Sequence, residues 1–284
     1  MAGTQTEPPA SGIVFILSLA LFGLFWAVLA MLKADPTVLP GPVDVARIFW
    51  SETASGRLPR ELAATLLRVT VSFLLAMTAG SLLGYLLGRY RTFNRWADPW
   101  VTIFMNLPAL VLIVLCYLWI GLNELAAIVA VTLNKTAMVI ITIRQGVRAF
   151  DPALEDLAIV SRLSRRDRLR HLVVPQLAPW LAVSARNGIA VIWKIVLVVE
   201  FLGRSNGIGF RVHLYFQQFE TGHVLVYSLA FVAVMLVVEH GIIQHWEARS
   251  VRWKRPPEGW GTQLEITISD VYSMLLKSAA SSKV

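Results

Sequence analysis

The chain has 284 residues, of which 56% are apolar and 15% charged, against roughly 25% charged in an ordinary soluble domain. That balance excludes a disordered chain, a basic nucleic-acid-binding tail and a typical soluble enzyme. The net charge of +8 comes from basic residues lying between apolar runs, the pattern of loops flanking membrane spans rather than of a nucleic-acid partner.

A helix crosses the hydrocarbon core with about 20 apolar residues. Six segments qualify in chain order: residues 13–32, 62–88, 100–120, 125–143, 181–202 and 224–243. The first is uncharged, and no small-x-small cleavage site follows it, so it reads as a retained span behind a short segment, 1–12. In the second, Gly80, Gly84 and Gly88 recur at four-residue steps, a spacing that admits a neighbouring helix closely or is a mere scatter of membrane glycines. Asn106 and Pro108 interrupt the third and predict a kink. Between the first two spans, Leu39-Pro40-Gly41-Pro42 opens a short amphipathic helix. After the fifth, Gly207-Ile208-Gly209 marks a tight turn.

Basic residues then orient the chain. Arg89, Arg91 and Arg95 follow the second span; Arg144, Arg148, Arg162, Arg165, Arg166, Arg168 and Arg170 follow the fourth; Arg249, Arg252, Lys254 and Arg255 follow the sixth. All fall on one side if both termini are cytoplasmic. The expected organisation is a transmembrane domain over 13–255 with cytoplasmic segments at 1–12 and 256–284.

The chemistry-bearing patterns are few. Cys116, the single cysteine, cannot form an internal disulfide or a multi-cysteine metal site. The five histidines have no metal-ligand spacing, and there is no GxxxxGK[ST] phosphate loop or GxSxG elbow. No catalytic residue, metal site or resident cofactor is expected.

The connection 144–179 is the most informative stretch. It is arginine-rich yet carries apolar residues at helical spacing: Leu154, Leu157, Ala158, Leu163, Leu169, Leu172 and Val173. Asp151 is placed to cap a helix that starts at Pro152, with Glu155 and Asp156 near its positive end. A break follows near Ser164; a second amphipathic piece runs to Val174, and Pro175 and Pro179 bracket the approach to the fifth span. Amphipathic helices outside the bilayer need a partner to cover their apolar face.

This loop resembles the EAA loop of ABC importer permeases, whose pattern is Glu-Ala-Ala, a Gly four residues on, then Ile-x-Leu-Pro. Asp156 falls on the Glu, Leu157 and Ala158 on the two Ala, Arg162 on the Gly, Leu172 on the Ile, Val174 on the Leu and Pro175 on the Pro. The departure at Arg162 matters, because Gly permits a tight bend that Arg resists. The resemblance extends over about residues 35–255, through Asn106-Leu107-Pro108, Trp119-Ile120-Gly121, Trp193, Glu200 and Ser205-Asn206-Gly207-Ile208-Gly209, and is nearest to the nitrate/sulfonate/taurine/bicarbonate branch. It implies an all-α membrane protein of the type I importer fold in a bacterial inner membrane. It also implies a second permease subunit, identical or related, two cytoplasmic subunits that bind ATP and magnesium, and an extracytoplasmic solute-binding protein. Glu155, Asp156, Leu157, Ala158, Arg162, Leu172, Val174 and Pro175 would form the ATPase-coupling region.

Charge at membrane depth costs at least about 2.5–3.5 kcal/mol at the centre of the span. Lys135, beside Asn134 in the fourth span, either holds a small anion in transit or forms an ion pair with an acid such as Glu200 or Glu239. Lys194 is a second anion candidate; Glu200 has a gating or packing role, and Asn106 borders a broken helix. Alternative readings are an importer of a thiamine precursor or other small cyclic nutrient, and a non-transporting membrane adaptor. A membrane-embedded enzyme would need clustered His, Asp or Glu at depth, which the sequence lacks.

Overall fold

The computed structural model describes residues 12–33 and 35–238, and these are helical with short connections. The chain runs through α1 (Gly12–Lys33), α2 (Pro42–Ala54), α3 (Arg57–Arg89), α4 (Arg91–Asn106), α5 (Ala109–Ile120) and α6 (Glu124–Arg148). It continues through α7 (Pro152–Val160), α8 (Arg165–Arg168), a π-turn (Leu169–Val173), α9 (Val174–Gly203), α10 (Ile208–Gln217) and α11 (Thr221–Val238). The segments 1–12 and 256–284, the end of the sixth expected span and Glu239 lie outside the described residues, save Gly12 at the start of α1.

Five of the six expected apolar segments are helical throughout as far as the described residues run; the third is broken at Leu107 and Pro108. Among the described residues, four helices are long and apolar enough to cross a membrane: α3, α6, the continuous run Arg165–Gly203 and α11. The third expected span is not one kinked helix. It is the pair α4 and α5, bent by 100°. Pro108 causes the break. A residue before proline is pushed out of the α region, and Leu107 accordingly sits at φ −67°, ψ 124°. Asn106 closes the end of α4 by donating its side-chain amide to the Thr102 carbonyl at 2.8 Å.

The glycine ladder in α3 has a partner. Gly80, Gly84 and Gly88 lie along α6 in register with Val139, Ile140 to Ile143, and Val147. A Cβ on Gly84 would lie 2.8 Å from the Ile140 carbonyl oxygen, and one on Gly88 2.6 Å from the Val147 Cβ. The main core forms where α5, α6, α9, α10 and α11 meet, around Trp193, Ile192, Val196 and Tyr227. Trp193 meets Phe231 edge to face, with ring centroids 5.2 Å apart.

The loop between α6 and α9 is locally determined. The Asp151 carboxylate accepts from the Ala153 amide at 2.9 Å, capping α7, and Pro152 occupies its first position. Ser164 caps α8 by accepting from the Asp167 amide at 3.2 Å. From Arg165 the chain is helical without a break to Gly203, passing through the π-turn. The helix that enters the bilayer therefore begins well before residue 181.

A Gly84→Val substitution has no space to relax against the α6 backbone. It should destabilise the chain by about 1–3 kcal/mol, read as a lower melting temperature in detergent, whereas Gly23→Ala in α1, where a Cβ meets nothing within 4 Å, should leave it unchanged.

Candidate functional site

The α7–α8 connection is built around Arg162. This residue has φ 49°, a left-handed conformation that an L side chain rarely adopts. It sits one residue past the capping Ser161 of α7. Its amide donates to the Ile159 carbonyl at 3.1 Å, and the Leu163 amide donates to the Ala158 carbonyl at 3.0 Å. These two bonds are the Schellman termination normally served by glycine. The tight bend is therefore present despite the arginine, at a backbone cost of about 1–2 kcal/mol.

Around that bend the expected coupling residues divide by exposure. Asp156, Leu157, Arg162 and Val174 are exposed, and Leu157, Ile159 and Val160 present 59%, 66% and 81% of their surface. Ala158 and Leu172 are buried with Val147, Val173 and Leu177, so they hold the loop to the bundle. Pro175 is half-buried at the start of α9. Glu155 faces inward. It pairs with Arg89 at the end of α3 at 3.0 Å and also with Arg168 of α8.

At membrane depth the five residues expected to line a pathway do not converge. Lys135 is 2% exposed, and its ammonium touches the Met138 sulfur at 2.9 Å. Among the described residues no carboxylate pairs with it, so the expected ion pair with Glu200 is absent, and Glu239 lies outside those residues. Asn134 is half-buried, while Asn106 and Lys194 are exposed. Glu200 is fully buried at the far end of the bundle from the α7–α8 connection, in a different ion pair.

That far end is held by Arg68, which sequence reasoning passed over. Its guanidinium donates to Glu200 at 2.6 Å, to Glu124 at 2.5 and 2.9 Å, to the Asn206 carbonyl at 3.0 Å and to the Asn206 side-chain oxygen. Glu200 also accepts from the Thr65 hydroxyl and the Gly209 amide, both at 2.9 Å. Arg204 adds a bond to Glu124 at 2.8 Å. Beside it, Glu61 accepts from the Gly207 amide at 2.6 Å and from Arg211 at 2.7 Å. Burial works against the Arg211 charge, but the hydrogen bonds and negative charge of Glu61 outweigh it and raise its pKa. Gly207 has φ 103°, and a side chain there would collide with the Glu200 carboxylate. The expected tight turn is thus a backbone cradle for two acids. The signal that could have found Arg68 was the depth argument applied to Lys135: a buried charge inside an apolar run needs an opposite charge.

A groove of about 250 Å³ lies between α3, α4 and α6, lined by Leu83, Leu87, Phe93, Trp100 and Leu133. Its walls suit hydrocarbon rather than a charged solute.

Residues 76–250 match the family described as Binding-protein-dependent transport system inner membrane component. The chain belongs to that family. It is a non-catalytic permease component of an ABC importer, a multi-pass inner-membrane protein that works with ATPase and solute-binding partners. Among its relatives, the putative aliphatic sulfonates transport permease SsuC of Escherichia coli is 29% identical over 220 residues, covering 76% of this chain and 82% of the relative. The riboflavin transport system permease RibX of Chloroflexus aurantiacus is 28% identical over 251 residues, covering 87% and 92%. A chain of the inward-facing MetNI methionine ABC transporter superimposes with a TM-score of 0.56 at 18% identity, covering 72% of this permease and 99% of that chain. The fold is therefore the type I importer permease fold.

Two outcomes follow for this permease. Arg162→Gly relieves the left-handed strain and should stabilise the α7–α8 turn by about 1 kcal/mol, seen as roughly fivefold slower amide exchange at Leu163. Arg68→Ala strands the Glu200 carboxylate and should cost about 3–5 kcal/mol, while the paired change Arg68→Met with Glu200→Leu should recover most of that loss in a thermal-unfolding assay.

Proposed function

We propose that this permease imports a small anion such as nitrate, an organosulfonate or bicarbonate, delivered by its binding protein. Two such subunits, identical or related, form the pathway, and two cytoplasmic ATPases grip the α7–α8 region. Both termini and the coupling loop are cytoplasmic, and the Arg68 cluster faces outward. ATP and magnesium are held by the ATPases; this chain makes no covalent chemistry.

The observation that carries the coupling role is the α7 surface. Leu157, Ile159 and Val160 are exposed on a helix outside the apolar bundle, and such a patch calls for a protein partner. Asp156 and Arg162 flank it with opposite charges. Glu155, paired with Arg89 and Arg168, links α7 to the end of α3 and to α8 through contacts that can be remade as the loop moves. ATP-driven closure of the ATPases then displaces α7 and α8 and, through the continuous helix Arg165–Gly203, α9.

The anion class is supported by the sulfonate relative and by the exposed Lys194, which has no carboxylate partner among the described residues. The riboflavin relative favours a second reading, a small cyclic nutrient. The test is the ATPase activity of the co-purified complex in nanodiscs with its binding protein. The panel is nitrate, bicarbonate, taurine, an alkanesulfonate, a thiamine-type pyrimidine and riboflavin. Anion import expects stimulation by one of the first four; stimulation by the pyrimidine or the flavin alone establishes the second reading.

Replacing Leu157 with Asp puts a charge in the proposed docking patch. ATPase co-purification should fall at least tenfold while the permease itself stays folded by gel filtration. A complex that assembles normally with Leu157→Asp would remove α7 from the interface.

A further inference from the structure

α9 has two unlike faces. Gly188, Ile192, Trp193, Val196 and Val199 are buried. The opposite stripe, Val183, Asn187, Lys194 and Val198, is exposed. Asn187 and Lys194 are seven positions apart, so they point within about 20° of each other and lie about 10 Å apart along the axis. Neither makes a hydrogen bond or ion pair among the described residues.

Depth gives this stripe its meaning. α9 has 30 residues, about 45 Å at 1.5 Å per residue, against a hydrocarbon core of about 30 Å. Lys194 lies about 14 Å from the Gly203 end, and Asn187 about 20 Å from the Val174 end. Both fall within the apolar stretch 181–202 expected to span the core. Elsewhere at that depth the exposed faces carry residues suited to lipid, such as Leu67, Leu74 and Leu82 on α3 and Val232 and Leu236 on α11. An ammonium and an amide on a lipid face would cost several kcal/mol. The ATPases cannot reach this depth. A second permease subunit across a water-filled gap satisfies the stripe. In a symmetric pair it also sets two Lys194 ammonium groups toward one gap, where like charges repel unless an anion lies between them.

We infer that the Asn187–Lys194 stripe of α9 is the anion-contacting wall of the pathway, facing the second permease subunit. This rests on the anion-import reading. It moves the anion role from Lys135, which the packing of α3, α6 and α9 encloses, to Lys194. The anion receives the Lys194 ammonium and the Asn187 side-chain N–H as donors. Because the π-turn joins α8 to α9 without a break, displacement of α8 by the ATPases reaches the stripe directly.

The test uses the full complex in nanodiscs, with Cys116→Ala as background and single cysteines at 187, 194 and, as a lipid-face control, 74. A charged, membrane-impermeant methanethiosulfonate should modify Asn187→Cys and Lys194→Cys in at least one nucleotide state and leave Leu74→Cys unmodified. Nitrate, taurine or methanesulfonate should slow modification at 187 at least threefold. Lys194→Gln should cut uptake at least tenfold with ATPase co-purification intact, and Lys194→Arg should retain most of it. No modification at either position in the nucleotide-free and ATP-bound states overturns the wall. Modification without anion protection, together with normal uptake by Lys194→Gln, overturns the contact role. If the ATPase panel still shows anion stimulation in that case, only this inference falls; if it does not, the import reading falls as well.

Discussion

The Arg68 guanidinium is the constraint on which the rest of the bundle depends. It is 3% exposed, yet it reaches α6 through Glu124, α9 through Glu200 and the connection to α10 through Asn206. A charge in that position is tolerated only because every donor has an acceptor. The result is a fixed end, where three helices and a loop meet at one planar group. Thr65 and Glu61, on the same helix, extend the hold to the Ile208 and Gly207 amides. α3 is also the helix whose glycines lie against α6. It is thus pinned at one end by charge and along its length by backbone proximity.

Its other end is tied differently. Arg89 holds Glu155 at a half-exposed site, and Arg168 shares the same carboxylate. Exposed pairs are weak, typically below about 1 kcal/mol, and can be remade as the loop moves. The contrast between a buried, saturated cluster and an exposed, exchangeable one divides the molecule into an anchored end and a working end. A push on α7 and α8 meets stiffness through α3 and a direct path through the π-turn into α9. Single π-turns of this kind often accompany functional sites. Here the turn lies between the proposed ATPase contact and the face of α9 that carries Asn187 and Lys194.

The Arg162 bend shows how a motif can keep its geometry while changing its residue. The Schellman hydrogen bonds are backbone bonds, and they form whichever side chain is present. Glycine lowers their cost, but packing of Ala158 and Leu172 against Val147 and Leu177 holds the turn in place against the strain. The loop is therefore recognisable by spacing more than by identity.

What could be read without coordinates was what depends on short-range pattern. The apolar segments, the Asp151 cap, the bend near Ser164 and the turn at Gly207 all follow from local rules of hydrophobicity, capping and backbone freedom, whereas the spacing of Gly80, Gly84 and Gly88 left close packing and a scatter of glycines equally open until α6 was seen against them. Pro108 announced a break but not its 100° angle, which is set by how α5 packs on α6 and α9. The five candidate pathway residues were chosen because each is polar at depth, and depth says nothing about which way a side chain points. Tertiary packing decided that Lys135 is enclosed, that Glu200 belongs to Arg68 and that Lys194 faces outward. Sequence alone determined that this chain is a helical membrane protein, because the bilayer fixes span length and charge placement along the chain, and the spacing of the 144–179 loop carried its resemblance to importer permeases. Only the folded arrangement chose the partners of Arg68, because those partners lie 56 to 138 residues away and meet it through helix packing that no local pattern encodes.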